Sequence, residues 1–396
     1  MRILLITDNH TPTGGAEKYF FDLKSRLEKR NGLEVYSCGF AEQESTGSDH
    51  YVMKHASHKV KKLLWRLFFN PIIYLKLSAY LNKVKPDIIH LHNVKQYPLA
   101  VLRAIKRYPV VQTIHDHGVV CPTGQNIHKD LTPCATGLRL KCFWQHQVKF
   151  NPIVYLVMTL TFFRLNSALK KSVDLFISPS PLLINYLDIN QFRPAKHIPL
   201  FKNEQINPVT TLHQQNHFFF AGNLGSHKGV NLLIDEFAIA CKINSQLHLT
   251  IAGTGPEEDK MKKNVKGYGI ENNVTFLGWQ KNLAQYYQDS NALLFTSTGL
   301  EGFPLVIMES MMHARPVIGI NRGIAAWIID HNKTGLHFDP NKNGDLAEKI
   351  LTLANQVDLA RQLGKNGREK LDAMIDNEKV LEQIISTYRE IIDQAK

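Results

Sequence analysis

The stretch Ser297-Thr298-Gly299-Leu300-Glu301-Gly302-Phe303-Pro304-Leu305-Val306-Ile307-Met308-Glu309 follows directly on the apolar run Ala292-Leu293-Leu294-Phe295. The order reads as a buried strand, a glycine-containing loop, an acid, the start of a helix, and a second acid two turns in. A helix rises about 1.5 Å per residue, so eight residues carry the second carboxylate roughly 12 Å past the first. That is the reach from a sugar ring, across a diphosphate, to a ribose. Between the two acids lie the free N–H groups of a helix N-terminus, which favour a phosphate.

The segment resembles the E-x7-E signature of the retaining glycosyltransferases of family 4, which have the GT-B fold. The run Glu-Gly-Phe-Pro-Leu-Val-Ile-Met-Glu, followed by Ala314-Arg315-Pro316-Val317-Ile318, carries the likeness better than the spacing alone. The resemblance implies that Glu309 accepts hydrogen bonds from ribose hydroxyls and that Glu301 holds a hydroxyl of the donor sugar. It implies that backbone N–H groups around Gly302, Phe303, Pro304, Leu305 and Val306 cradle sugar and phosphate.

Working outward, short apolar strands alternate with amphipathic helical stretches along the chain, which argues for parallel βαβ units. Strands are expected near residues 3–7, 33–37, 88–92, 110–114 and 175–179, and again near 217–221, 247–252, 274–277, 292–296 and 316–320. Two such sets predict an α/β protein of two doubly wound, Rossmann-like domains facing a cleft, with ligands beyond the carboxyl ends of the strands. The boundary is expected in the polar stretch 200–216. Residues 1–203 would bind the acceptor and 204–377 the nucleotide-sugar. The resemblance implies that the last helix, about 378–396, crosses back to the first domain.

Phe218-Phe219-Phe220-Ala221-Gly222-Asn223-Leu224-Gly225-Ser226-His227-Lys228-Gly229 is a second strand and glycine-rich loop with a lysine where a helix begins. A helix N-terminus and an ammonium both favour a diphosphate, and Lys228 is the candidate cation. The segment is similar to the family's G-R-L…K-G loop, with Asn223 in place of the usual arginine. Gly253-Thr254-Gly255 follows another strand. It is no dinucleotide fingerprint, since Glu258 stands where a third glycine belongs. A tight turn is its first reading; the resemblance places it on the nucleotide side. Gly14 and Gly15 open a helix and resemble the family's N-terminal Gly-Gly-Ala-Glu loop, with Glu17 read as a helix cap. His92, at the end of the strand 88–92, is read evenly between a core histidine and a site residue. His115, at the end of the next strand, is the stronger candidate, since in similar enzymes the histidine there contacts the transferred sugar or its acceptor.

The chain has 396 residues and a net charge of +12. The excess is local: residues 51–200 hold 21 Lys+Arg against 5 Asp+Glu, a net of +16. That half calls for an anionic partner. Basic residues in 54–85 and 139–171 alternate with aliphatic and aromatic ones, which suits a helix in an anionic membrane interface. The same pattern equally suits an ordinary helix with a core face and a solvated lysine face. No Asp-x-Asp occurs, so no motif supports a divalent metal for the diphosphate, and no cofactor is expected. Cys121, Cys134 and Cys142 lie near His117, His128 and His146, but their spacing is not that of paired zinc ligands. No P-loop or nucleophile elbow is present, and no known nucleic-acid-binding module. No apolar run reaches membrane-spanning length and no cleavable signal peptide is recognised, so the expected location is cytoplasmic, with peripheral attachment at the inner face of the membrane left open.

The resemblance therefore implies a metal-independent, retaining transfer from a nucleotide-diphosphate sugar to a saccharide or lipid-linked saccharide, in bacterial cell-surface polysaccharide synthesis. Two alternatives stay open: a nucleotide-sugar epimerase of the same fold, and a non-catalytic or nucleic-acid-binding protein that uses its basic half.

Overall fold

The computed structural model describes residues 1–11, 14–54, 65, 68–121, 124, 126, 128, 134, 152–204, 206 and 216–396. The chain divides into two compact units. Unit 1 is Met1–Phe201 with Asn377–Lys396, and unit 2 is Lys202–Asp376.

Unit 1 is built on an eight-stranded sheet. Its strands are β1 (Arg2–Ile6), β2 (Glu34–Ala41), β3 (Ser45–Thr46), β4 (His50–Lys54), β5 (Ile88–Leu91), β6 (Val110–Thr113), β7 (Leu175–Ser178) and β8 (Ala195–His197), in the order β3-β4-β2-β1-β5-β6-β7-β8. Every pairing is parallel except β3 with β4. The strands β5, β6 and β7 are buried at every residue, as expected where helices cover both faces of a parallel sheet. The helices are α1 (Gly15–Glu28), α2 (Pro71–Val84), α3 (Pro98–Ile105), α4 (Pro152–Ser172), α5 (Pro181–Ile189) and, from the far end of the chain, the helix Asn377–Gln394. Asn70 caps α2 by accepting from the Ile73 N–H at 3.1 Å, with Pro71 at the first helical position. The last helix is tied to unit 1 by Tyr388, whose hydroxyl lies 2.6 Å from His90 Nδ1, and by Thr387, which accepts from Lys196 Nζ at 3.2 Å.

Unit 2 has six parallel strands: β9 (His217–Ala221), β10 (His248–Ala252), β11 (Val274–Gly278), β12 (Ala292–Phe295), β13 (Val317–Ile320) and β14 (Gly335–Phe338), in the order β11-β10-β9-β12-β13-β14. The chain steps outward from β9 to β10 and β11, then returns to the other side of β9 with β12. The loops after β9 and β12 therefore diverge at the strand ends, which is where open α/β sheets bind ligands. In unit 1 the corresponding strands are β1 and β5.

All ten expected strands are present. The strands β3, β4, β8 and β14 were not anticipated. Each is short or partly polar, and each lies at or next to a sheet edge, where burial on both faces no longer forces an apolar run. The polar stretch 200–216 falls largely on residues outside the description.

The two amphipathic stretches of unit 1 carry both of their expected faces. On α2, Ile73, Leu77, Tyr80, Leu81 and Val84 join the core. Phe68, Ile72 and Leu75 point outward, as do Leu156, Leu160 and Phe163 on α4, all between 53% and 64% exposed. Spacings of four and three residues set the α4 trio in a single stripe, and Ile72 and Leu75, three apart, share a face of α2, with Phe68 just ahead of that helix. Residues 55–64, 66–67 and 139–151 of these stretches lie outside the description. Among the described residues no helix is long and apolar enough to cross a membrane.

Candidate functional site

In unit 2 the loops after β9 and β12 are laced together by backbone. The N–H groups of Thr298 and Gly299 both donate to the His227 carbonyl, at 2.9 and 3.0 Å, and Thr296 Oγ1 donates to the Lys228 carbonyl at 2.9 Å. Gly229 stands at φ +67°, and a Cβ there would lie 2.0 Å from the Thr296 carbonyl oxygen, so only glycine fits. This lacing fixes a short turn, Ser226–Lys228, ahead of helix α6 (Val230–Ile243). It sets Lys228 beside Glu301.

Lys228 Nζ and Glu301 Oε1 form an ion pair, and Ser297 Oγ donates to the same carboxylate oxygen at 2.6 Å. The side chains are 23% and 20% exposed, so the pair is open to a ligand. Burial opposes charge on Glu301, but the Lys228 ammonium, its hydrogen bond and the Ser297 hydroxyl outweigh it and hold the carboxyl below its ordinary range. Glu301 is thus ionised at neutral pH. Lys228 and Glu301 were expected to hold separate parts of a ligand; the structure joins them to each other.

The helix expected right after Glu301 begins later, at Leu305: α9 is Leu305–Met312. Pro304 takes the capping position with φ −77° and ψ 105°, and proline biases its predecessor, Phe303, away from helical geometry. Only the part from Leu305 to Glu309 is helical, so the 1.5 Å rise does not apply to the whole interval between the acids. Pro304 has no N–H to offer an anion. The first-turn N–H groups of Leu305 and Val306 make no hydrogen bond among the described residues. They are the donors of this helix start, with Gly302 and Phe303 in the loop leading to it. Glu309, one turn further, accepts from Tyr287 Oη at 2.8 Å. Tyr287 is buried, edge-on to Phe219 and stacked on His313. Burial and the neighbouring Glu309 carboxylate push its phenol well above the usual value, so it stays a donor.

Gly222, Gly253 and Gly255 are spaced for packing. A Cβ on Gly253 would stand 1.8 Å from the Gly222 carbonyl oxygen, and one on Gly255 would stand 2.5 Å from that of Leu224. The two loops touch backbone to backbone, through Leu224 N to Thr254 O at 3.0 Å. The Asn223 amide donates to the Thr254 carbonyl at 3.1 Å, so it serves the same contact in place of a cation.

In unit 1, His92 and His115 come together: His92 Nδ1 lies 3.1 Å from His115 Nε2, and the rings are stacked. His90 stacks on the other side of His92, 4.4 Å between centroids, and its own nitrogens meet Tyr388 and Thr113. Tyr19 and Phe20 of α1 close the group. Burial drives His90 down to about 3, His115 to about 4 and His92 well below its usual value, so all three are neutral at pH 7. Next to them Lys95 Nζ pairs with Asp116 at 2.8 Å, and Asp8 receives the N–H groups of Lys95 and Gln96, the latter at 3.0 Å. Gly14 precedes α1 and Gly15 opens it; a Cβ on Gly14 would stand 2.5 Å from the Glu17 carboxylate. Burial, then the nearby Asp8 and Asp116 charges, raise Glu17 above its ordinary value against the pull of Lys95 and its own backbone hydrogen bond.

Cys121 and Cys134 are buried and neither is in a disulfide among the described residues, while Cys142 and His146 lie outside them. Among the described residues no three His, Cys, Asp or Glu side chains gather as metal ligands would. Sequence reasoning missed Ser297, Tyr287, Asp8, Lys95 and Asp116. Ser297 stood inside the deciding stretch, four residues before Glu301. Tyr287 carried no signal of its own.

Two family models match the chain: "Glycosyltransferase Family 4" over residues 13–196 and "Glycosyl transferases group 1" over residues 201–370. N-acetyl-alpha-D-glucosaminyl L-malate synthase of Bacillus anthracis is 30% identical over 175 residues, 44% of this chain and 45% of that protein. Poly(ribitol-phosphate) alpha-N-acetylglucosaminyltransferase of Staphylococcus aureus is 29% identical over 163 residues, 41% of this chain and 33% of that one. The chain thus aligns with half or less of the length of these curated relatives. Anabaena HepE, solved in complex with UDP, superposes with a TM-score of 0.71 over 98% of this chain and 100% of its own, at 19% identity. One matched span lies in each unit, each unit has the doubly wound parallel sheet, and the chain belongs to the family-4 glycosyltransferases of GT-B fold.

Proposed function

We propose that the chain transfers a sugar from a nucleotide-diphosphate sugar to a saccharide or lipid-linked saccharide acceptor, with retention of configuration, in the synthesis of a cell-surface polysaccharide. The observation that carries this reading is the Ser297–Glu301–Lys228 cluster beside the unbonded N–H groups of Leu305 and Val306. An entering diphosphate competes for the Lys228 ammonium. Glu301 is then released to accept from the sugar's hydroxyls while still held by Ser297. As the sugar–phosphate bond breaks, negative charge grows on the leaving oxygen, where Lys228 and the helix-start amides strengthen their hold. Glu309, oriented by Tyr287, takes the ribose hydroxyls. No metal is required by this scheme, since an ammonium and two amide dipoles face the diphosphate. In unit 1, the neutral His115 orients the acceptor. The solved relative that holds UDP, and the curated one whose name gives a polymer as acceptor, support the classes of donor and acceptor.

The outward stripes on α2 and α4, within a region of net +16, support seating on an anionic membrane surface. The test of the transfer reading is thermal stabilisation by UDP-, GDP- and ADP-sugars. At a free concentration a hundredfold above its dissociation constant, the right donor adds about 2.7 kcal/mol. If none shifts the unfolding of unit 2, the chain does not use a nucleotide-sugar.

A further inference from the structure

In unit 1 a cavity of about 140 Å³ lies where the loops after β5 and β6 meet helix α4. Its helix side is formed by Phe162, Leu165 and Leu169, with Thr161, whose hydroxyl is taken up by the Val157 carbonyl at 2.6 Å. A void of roughly 150 Å³ with such walls admits one six-membered ring. The sheet side is different. Gln112, the third residue of β6, lines the cavity and is 3% exposed. Its neighbours on the same face of the strand, Val110 and Ile114, belong to the hydrophobic core. A glutamine thus stands where the fold calls for a branched aliphatic residue.

That glutamine is only half satisfied. Its Nε2 donates to the His92 carbonyl at 3.4 Å, and its Oε1 has no hydrogen-bond partner. The orientation is fixed chemically, since only the NH₂ end can meet a carbonyl. What remains is a buried acceptor beside an apolar wall. Leaving it unpaired costs stability that a valine or leucine would not cost. Lys95, His115 and Asp116, all in the group described above, also line the cavity. Helix α4 turns Phe162, Leu165 and Leu169 inward and Leu156, Leu160 and Phe163 outward, so the same helix separates the cavity from the exposed stripe.

We propose that this cavity is a subsite for the acceptor. It takes an apolar group the size of one ring or a short chain, carrying one hydroxyl or amide N–H that donates to Gln112 Oε1. The acceptor is therefore an amphiphile, with its apolar part here and its sugar-bearing part toward His115 and Asp116. The assignment rests on the transferase reading for its meaning, but its test needs neither donor nor turnover.

Phenol and toluene serve as probes of equal ring size, one with a donor and one without. Binding to the full chain is followed by titration with NMR detection of the Leu165 and Leu169 methyl groups. The wild type is expected to bind phenol roughly fivefold to tenfold more tightly than toluene, the value of one buried hydrogen bond. Gln112→Leu reverses the order, and Leu165→Trp, which fills the space, abolishes both. Retention of the wild-type circular dichroism spectrum shows that each variant is folded; should Leu165→Trp not fold, Leu165→Phe replaces it. Binding of neither probe, with a water alone on Gln112, overturns the proposal. So does a phenol preference that survives Gln112→Leu. Failure of nucleotide-sugars to bind unit 2 would leave these results unchanged, so the two readings fall separately. In transfer assays, a glycoside whose alkyl chain ends in a hydroxyl is expected to show a lower KM than the free sugar, and Gln112→Leu to raise that KM.

Discussion

The Lys228–Glu301 pair of unit 2 and the histidine stack of unit 1 are in opposite electrical states. At the head of unit 2, Lys228 and Glu301 form an ion pair partly open to solvent, and the ammonium helps hold the carboxyl ionised. At the head of unit 1, three stacked histidines are buried and neutral: His90 meets Tyr388 and Thr113, His92 Nδ1 meets His115, and His92 Nε2 has no partner among the described residues. A charged pair can be opened by a ligand that supplies its own charge. A neutral stack offers hydrogen bonds and shape without repelling or binding an anion. The first suits a diphosphate; the second suits hydroxyl groups. The same doubly wound topology thus presents a charged pair in one half and a neutral stack in the other, through the residues at its strand ends.

The sharpest way to break this comparison is Lys228→Ala. Glu301 then stays in a partly buried place with only Ser297 to hold it. Turnover is expected to fall by about 10²–10³-fold, the usual cost of a lost transition-state donor. The stability effect has a defined pH window. A carboxyl depressed by its partner contributes stability that is present above its unfolded value, near 4.3, and lost as pH falls through its folded value. The stability gap between wild type and variant should therefore be widest at neutral pH and close in acid. A gap that widens in acid would show that the pair does not hold Glu301 ionised.

Glu309→Ala tests the other end of the same site. Removing a charged acceptor from the ribose is expected to weaken nucleotide binding by about 1–3 kcal/mol, read by calorimetry. Binding that stays the same removes Glu309 from the nucleotide site and leaves its bond with Tyr287 a purely structural one.

How far these sites could be read from the chain differs between the units in the same sense. The Glu301–Glu309 stretch was legible because a strand, a glycine loop and a helix start follow one another within a few residues, and local sequence dictates local geometry. Most of the ten anticipated strands were legible because burial on both faces demands continuous apolar runs; β11, an edge strand, was legible from its Val-Thr-Phe-Leu run alone. The Lys228–Glu301 bond was not legible. It joins positions 73 residues apart and depends on Gly229 fitting against Thr296. Tyr388 is the extreme case: it meets His90 across 298 residues, and in the sequence it is one more apolar-face position of an amphipathic helix. Gln112 hid for a different reason. A single polar residue in a short strand looks like a solvent-facing position until the register shows that its face is the core.

The histidine stack makes unit 1 sensitive to acid. His90 has a folded value of about 3 against an ordinary 6.5. The unfolded chain therefore binds a proton that the folded one refuses, and stability is lost as pH falls below 6.5. From pH 7 to 5 His90 alone costs unit 1 roughly 2 kcal/mol. Hydrogen exchange in β5 and β6, corrected for its intrinsic pH dependence, should report this loss. A His90→Gln variant should show a flatter profile. Protection that does not change between the two pH values would mean that the ring is already charged in the fold.

The smallest effect separates structure from chemistry in the same place. Tyr388→Phe removes one hydroxyl and leaves His90 Nδ1 without its partner, while the ring still packs. Unit 1 is expected to lose about 0.5–1.5 kcal/mol, seen as faster exchange in the last helix and in β5. Nucleotide affinity, a property of unit 2, should not move. The KM for acceptor should hold as well, because Tyr388 touches His90 and not His92 or His115. If the KM for acceptor rises while exchange stays at wild-type rates, the hydroxyl acts through the stack on the bound acceptor. Tyr388 would then be a positioning residue and not merely the anchor of the returning helix.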